Sequence, residues 1–425
     1  MAAVNLQWWR KWTVVLGGIA GLQLLVQVIN AITGWLLVRV LPPSEYALFT
    51  LASSIQASLS VMSDLGLSVA FISVGGAVWQ DPRQLGSVYN AVLDKRKSLA
   101  VIAVVVGFPA GWWLLVHNGA SGWYAAALLL TMLTCLRIVP LGLVNAGALR
   151  LHQRFRPVQT AELGAALVRF GVSALVALPS ACVALVAAAG TAFSQIFFTR
   201  RVAHVSASLV EVSVPPSSDH QLAVSGVVRS LTLPALFHGF QGQITTWILG
   251  LGGQEIAVAS LGALMRFAVL FTLAGVVINQ VVAPAVARCR STAELRSKVF
   301  KAVGGYLVYS VLVIFGATLL APWALWLLGP TYEGLREELL LMMVSLAAGG
   351  LTSLVWIIVS SRQWIADNWV SIPLTIGAQV GMAFHLPLGT VSGILVFSAL
   401  SAVPPLCWYL YLGVRGYRAF RLAET

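Results

Sequence analysis

Residues 164–177 read GAALVRFGVSALVA, and thirteen of these fourteen residues suit a helix buried in lipid. The exception, Arg169, puts a guanidinium in the middle of an apolar run. The same composition extends to both ends of the chain, which has 425 residues, 59% of them hydrophobic and only 9% charged. A water-soluble domain carries about 25% charged residues, so the chain reads as a polytopic membrane protein. Apolar runs near the ~20 residues needed to cross a ~30 Å hydrocarbon core recur, with short polar breaks between them. Twelve spans are expected, at about 14–38, 46–77, 98–116, 123–148, 158–179, 181–199, 226–250, 255–284, 302–328, 336–360, 366–385 and 389–412. The second and eighth exceed a single crossing, which predicts tilt or protrusion into the cytoplasm. The first is too long for a signal-peptide core and no small-residue cleavage site follows it, so it is expected to be retained.

The 26 Lys and Arg against 14 Asp and Glu give a formal net charge of +12. Its distribution argues against a nucleic-acid partner. Twenty of the 26 fall at the termini and in alternate loops: Arg10 and Lys11; Arg83, Lys95, Arg96 and Lys97; Arg150, Arg154 and Arg156; Arg200 and Arg201; Arg288, Arg290, Arg296, Lys298 and Lys301; Arg362; Arg415, Arg418 and Arg421. The opposite breaks hold only Arg39 and Arg336. This is the positive-inside pattern, and it places both termini in the cytoplasm with an even number of spans. The basic balance then reports topology and contact with anionic lipid headgroups, not DNA or RNA. Cys135, Cys182, Cys289 and Cys407 lie in or beside spans and read as small buried hydrophobes rather than disulfides or metal ligands.

The longest internal break, Arg200 to Val224, carries Pro-Pro, Ser-Ser and mixed charge, and divides six spans from six. The expected architecture is all-α, with an N-terminal six-helix lobe at 1–200, a cytoplasmic linker at 201–224 and a C-terminal six-helix lobe at 225–425. An internal repeat of this kind puts a substrate site at the seam near the bilayer midplane. Pro109, Pro140, Pro234, Pro284, Pro404 and Pro405 fall within spans, where each serves either as a bending point or in static packing. The outer loops, such as HNGASG, LPSA and GPTYEG, are too short for a catalytic or receptor domain. Function is therefore expected within the membrane.

Six cations remain after the twenty. Arg39 and Arg336 at the outer edge and Arg229 at the inner edge can snorkel to water. Arg137, Arg169 and Arg266 each lie about ten to fourteen residues from the nearer end of a span, close to mid-depth. A mid-membrane Arg costs ~2.5–3.5 kcal/mol on insertion scales, and more if it faces lipid. The acids of the membrane region are Asp64, Glu162 near an inner edge and Glu255 at an outer edge, so only Asp64 is a candidate deep counter-ion. Two readings follow: packing contacts with Asp64 and helix-end carbonyls, or an anionic ligand held across the seam by Arg137 and Arg169 from one half and Arg266 from the other. Guanidinium geometry suits phosphate oxygens, and no Lys lies inside a span.

Gln23, Gln27 and Asn30 fall at i, i+4 and i+7 on one helix face, and His238, Gln241 and Thr245 follow a similar spacing. Such faces serve either sugar hydroxyls in a wet cavity or hydrogen bonds between helices. No zinc-site, phosphate-loop or Asp-x-Asp pattern is present, so catalysis and direct use of nucleotides are unsupported.

Three stretches resemble a known family. VRVLPPSEYALFTLASSIQASLSVMSDLGLSVAF (Val38 to Phe71), ILGLGGQEIAVASLGALMRFAVLF (Ile248 to Phe271) and LWLLGPTYEGLREELLLMMVSLAAG (Leu325 to Gly349) are similar to segments of bacterial polysaccharide-transport and O-antigen (Wzx-type) flippases. The resemblance implies the fold of the multidrug/oligosaccharidyl-lipid/polysaccharide (MOP) superfamily in the bacterial inner membrane. It further implies movement of an undecaprenyl-diphosphate-linked oligosaccharide from the cytoplasmic to the outer leaflet. No cofactor is implied, net direction requires coupling to protons, sodium or membrane potential, and a polymerase and chain-length regulator are implied as assembly partners. Arg39 and Asp64 match family motif positions, whereas Arg137, Arg169 and Arg266 rest on depth and charge. For Asp64 a substrate role and a role in pinning a helix turn both stand. Many relatives carry an acid where this chain has Thr245, Thr246 and Trp247, so an ion-coupling site there does not carry over. A drug or cation antiporter of the same superfamily is the alternative, and it requires acids in the cleft. A glycan polymerase or acyltransferase requires a His or acid site with a sizeable outer loop.

Overall fold

The computed structural model describes the backbone of residues 2–178, 183–289, 291–365 and 367–424, and their side chains apart from those of residues 2–20, 137, 280, 423 and 424. The described residues form helices and turns with no strand. They divide into two compact units, Met1–Trp247 and Ile248–Thr425.

Unit 1 contains α1 (Ala2–Val40), α2 (Pro43–Asp64), α3 (Leu67–Val78), α4 (Pro82–His117), α5 (Gly122–Leu151), α6 (Phe155–Ala174), α7 (Ala184–Ser206) and α8 (Ser218–Gln241). The unit boundary falls inside α9 (Ile244–Leu251). Proline opens α2 and α4, where its missing N–H costs nothing. Asp81 caps α4 by accepting from the Arg83 and Gln84 amides. The expected 46–77 span is broken after Asp64, where Leu65 (φ 40°) and Gly66 (φ 85°) are left-handed. A Cβ on Gly66 would stand 2.9 Å from Leu231, so position 66 requires glycine on both conformational and steric grounds. Leu67, Phe71, Leu85, Val88, Leu149 and Val228 are among the buried residues of one core shared by α3, α4, α5 and α8.

The segment read as a linker at 201–224 is built into unit 1. Its first residues complete α7, and α8 begins at Ser218. Between them, the Glu211 amide donates to the Pro82 carbonyl, and Asn90 Nδ2 donates to the Val212 and Val214 carbonyls. Gly86 admits this contact, since a Cβ there would clash with the Glu211 carbonyl oxygen.

Unit 2 begins with α10 (Glu255–Leu264), α11 (Val269–Val277) and α12 (Ala283–Ala287), joined by a 3-10 stretch at Met265–Ala268 and a π stretch at Ile278–Val282. The expected 255–284 span is thus one helical path with two changes of winding. It continues through α13 (Thr292–Leu319), α14 (Ala321–Leu328), α15 (Arg336–Ser361), α16 (Ser371–Ala383), α17 (Val391–Ser401) and α18 (Val403–Glu424). α15 packs on α13, α17 and α18, and Val355, Val359, Tyr409 and Leu412 form a buried cluster at the α15–α18 contact.

Each of the twelve expected spans carries helix, and among the described residues ten stretches are long and apolar enough to cross a membrane. The other two are α7 and the 13-residue α16. The chain is a multi-pass membrane protein of all-α class.

Candidate functional site

A cavity of about 380 Å³ opens in unit 1 among α1, α5, α6 and α7. The 3.6-residue period carries Gln23, Gln27 and Asn30 of α1 onto one face, and that face lines the cavity. Glu162 and Arg169, seven residues apart on α6, line it too, as do Ser194 and Gln195 of α7. Gln23, Gln27, Asn30 and Arg169 are all half-buried. None of Gln23, Gln27, Asn30 and Gln195 hydrogen-bonds another described residue, so four amide groups face the open volume with donors and acceptors to offer. Arg169 stands fourteen residues beyond the start of α6 at Phe155, about 21 Å along the axis, well inside the span. Glu162 lies 4.0 Å from Arg150. Among the described residues, the cavity is lined by one arginine and one glutamate, with Arg150 beside that glutamate, a net positive balance.

The remaining expected site residues are distributed elsewhere. Arg137 lies on α5, and its side chain is outside the described residues. Arg39 is exposed at the end of α1. Arg266 sits in the 3-10 stretch of unit 2, half-buried. His238 is exposed on α8, and neither it nor Gln241 lines the cavity. The stripe from His238 to Thr245 is also interrupted, because α8 ends at Gln241 and Thr245 belongs to α9.

Asp64 ends the 22-residue α2, and its partner differs from expectation. Its partner is Arg96, at 3.4 Å, and Asp64 Oδ1 also accepts from the Ser68 hydroxyl at 2.7 Å. Arg96 is corrected too: read as a loop cation, it lies inside the 36-residue α4 and is only 5% exposed. α4 starts sixteen residues before the expected span and carries the basic cluster into the packed bundle.

Two polar constellations went unread in the sequence. At one end of unit 1, Glu45 in the first turn of α2 accepts from the Tyr124 hydroxyl at 2.5 Å and from the Ala184 amide at 2.7 Å, tying α2, α5 and α7. Within the bundle, buried Asn145 accepts from Ser206 at 2.7 Å and donates to the Tyr89 hydroxyl at 3.3 Å. A lone Glu in a first turn, or an Asn in an apolar run, signals a need for a partner without naming it. Among the described residues no group of three His, Cys, Asp or Glu is placed to hold a metal ion.

No family model matches the chain, and no curated protein matches it in sequence. Solved structures do match in fold. An inward-facing multidrug resistance MATE family transporter of the MOP superfamily superposes with a TM-score of 0.72 at 18% identity, covering 94% of this chain and 96% of that one. The lipid II flippase MurJ, in an inward closed conformation, gives 0.70 at 11% identity over 95% and 90%. A MOP superfamily transporter from Pyrococcus furiosus, described as having a binding pocket of reverse polarity suggesting a different function, gives 0.55 at 17% identity over 93% of each chain. The fold of this chain is that of the MOP-superfamily transporters.

Proposed function

We propose that the chain is a flippase carrying a polyprenyl-diphosphate-linked oligosaccharide, such as an O-antigen, capsule or exopolysaccharide repeat unit, from the cytoplasmic to the outer leaflet. The observation supporting this reading is the unit 1 cavity, where Arg169 shares one open volume with Gln23, Gln27 and Asn30. A guanidinium presents a planar fork of donors to phosphate oxygens. Amide side chains both donate and accept, which matches sugar hydroxyls. The diphosphate is bound by Arg169 and the sugars by the amides, while the prenyl tail stays in lipid. Inward-facing and outward-facing conformations are both described for transporters of this fold, which supports alternating access as the mode of translocation.

A cation antiporter is the second reading, and Glu162 in the same cavity favours it. Arg150 at 4.0 Å from Glu162 weighs against it by offsetting the carboxylate. The two readings separate in a flippase-null strain scored by leaflet-resolved labelling of prenyl-linked glycans. With normal membrane levels, Arg169→Ala abolishes delivery to the outer leaflet, Arg169→Lys keeps part of it because the fork is lost, and Glu162→Gln retains it. Full delivery by Arg169→Ala would defeat the flippase assignment. Extrusion of organic cations that disappears in Glu162→Gln would replace it with the antiporter.

A further inference from the structure

A second opening in unit 1 shares no residue with the cavity above. It is a groove of about 590 Å³ along α4 and α5, with Arg96 and Lys97 at one end and Val101, Val105, Leu133 and Leu136 along its length. Arg96 is nearly fully buried, yet its Nε and Nη1 nitrogens have no hydrogen-bond partner among the described residues. Its contact with Asp64, at 3.4 Å, is through Nη2 alone. Buried N–H groups of a cation without acceptors are rare in folded proteins and costly, so an acceptor is expected to reach them.

The surroundings define that acceptor. Asp94, Lys95, Arg96 and Lys97 are consecutive, and with Asp64 they make three cations against two acids, a surplus of one positive charge. Lys97 is held by Asp94 at 2.8 Å, but both side chains are more than half exposed, so the pair exchanges readily for another anion. From Arg96 to Val105, α4 rises about 14 Å, close to the ~15 Å depth of one hydrocarbon leaflet. The groove thus pairs a cationic end, lined by Arg96 and Lys97 with the exposed Lys95 adjoining them in sequence, with an apolar trough one leaflet deep.

We propose that this groove is a binding site for an anionic glycerophospholipid of the leaflet on the basic-loop side, its phosphodiester accepting from Arg96 and one acyl chain lying along Val101, Val105 and Leu136. A phosphodiester carries the single negative charge that the cluster lacks, whereas a prenyl diphosphate carries more. The site is separate from the transport cavity, so its occupancy can be tested without a transport assay.

Full-length protein in detergent is exposed to dioleoyl-phosphatidylglycerol or dioleoyl-phosphatidylcholine, and retained lipid is counted by native mass spectrometry. The wild-type chain retains one phosphatidylglycerol in preference to phosphatidylcholine. Arg96→Gln weakens that retention roughly tenfold or more, as loss of a charged hydrogen bond does. Val101→Trp fills the trough with every charge intact, loses the lipid as well, and keeps the test decisive should Arg96→Gln not fold. Arg200→Gln with Arg201→Gln, an exposed basic pair lining a different groove on α6 and α7, leaves retention unchanged. Equal retention of the two lipids, unaltered retention in Val101→Trp, or displacement of phosphatidylglycerol by equimolar undecaprenyl phosphate would each overturn the proposal.

Discussion

The two units handle polarity in different ways. Unit 1 places charged and amide groups between its helices: Glu45 with Tyr124 and the Ala184 amide, Asp64 with Arg96, Asn145 with Tyr89 and Ser206, and the cavity around Arg169. In unit 2 the described contacts between helices mix neutral pairs, Ser345–Ser398 and Gln379–Ser401, with single charged groups on neutral acceptors or donors, Arg362 on the Ala287 and Cys289 carbonyls and Glu338 with Ser392, while its ion pairs, Glu294–Lys298 and Asp367–Arg415, are at least a third exposed. Unit 2 varies its backbone instead, through the 3-10 turn at Met265–Ala268 and the π turn at Ile278–Val282. Buried polar contacts stabilise one arrangement strongly, because breaking them leaves a group stranded. Changes of winding hold fewer such groups, and π turns recur at functional positions in helices. Halves of similar helical rhythm can therefore differ in rigidity.

Four substitutions probe this difference, the largest effect first. Arg96→Met strands the Asp64 carboxylate, which is a quarter exposed, and costs about 2–3 kcal/mol, near the lower end for a broken buried pair. It is read as a drop in Tm of the purified protein, and adding Asp64→Leu recovers most of the loss. Tyr124→Phe removes one of the two donors to Glu45 and costs about 1.5–2 kcal/mol, the scale of a hydrogen bond to a charged acceptor. Gly66→Ala costs about 1–2 kcal/mol from its left-handed φ, with Leu231 displaced besides. In unit 2, Gln379→Leu costs under about 1 kcal/mol, the average for interhelical hydrogen bonds in membranes. A Tm loss for Gln379→Leu equal to that for Arg96→Met would erase the contrast between the units.

The helical class and the approximate place of ten of the twelve spans were legible because hydropathy and the ~20-residue crossing length are local properties. The amide face of α1 was legible for the same reason, since i, i+4 and i+7 meet on any helix. Which helix that face would meet was not legible: Glu162, Ser194 and Gln195 join it only through packing. Arg96 was misread because the cluster Asp94-Lys95-Arg96-Lys97 has the composition of a loop, while Asp81 and Pro82 start the helix much earlier. The turns at Met265–Ala268 and Ile278–Val282 coincide with polar residues, Arg266 in the first and Asn279 and Gln280 in the second, but hydropathy carries no rule that turns such residues into a change of winding. The segment at 201–224 has linker composition, yet its backbone is engaged by Asn90 and Pro82.

The contact between Asp64 and Arg96 spans only 32 residues of sequence, between consecutive crossings. During synthesis both segments have left the ribosome before α6 with Arg169 is made. The pair can form as soon as this early hairpin enters the bilayer, so its charges are neutralised at the translocon without later helices.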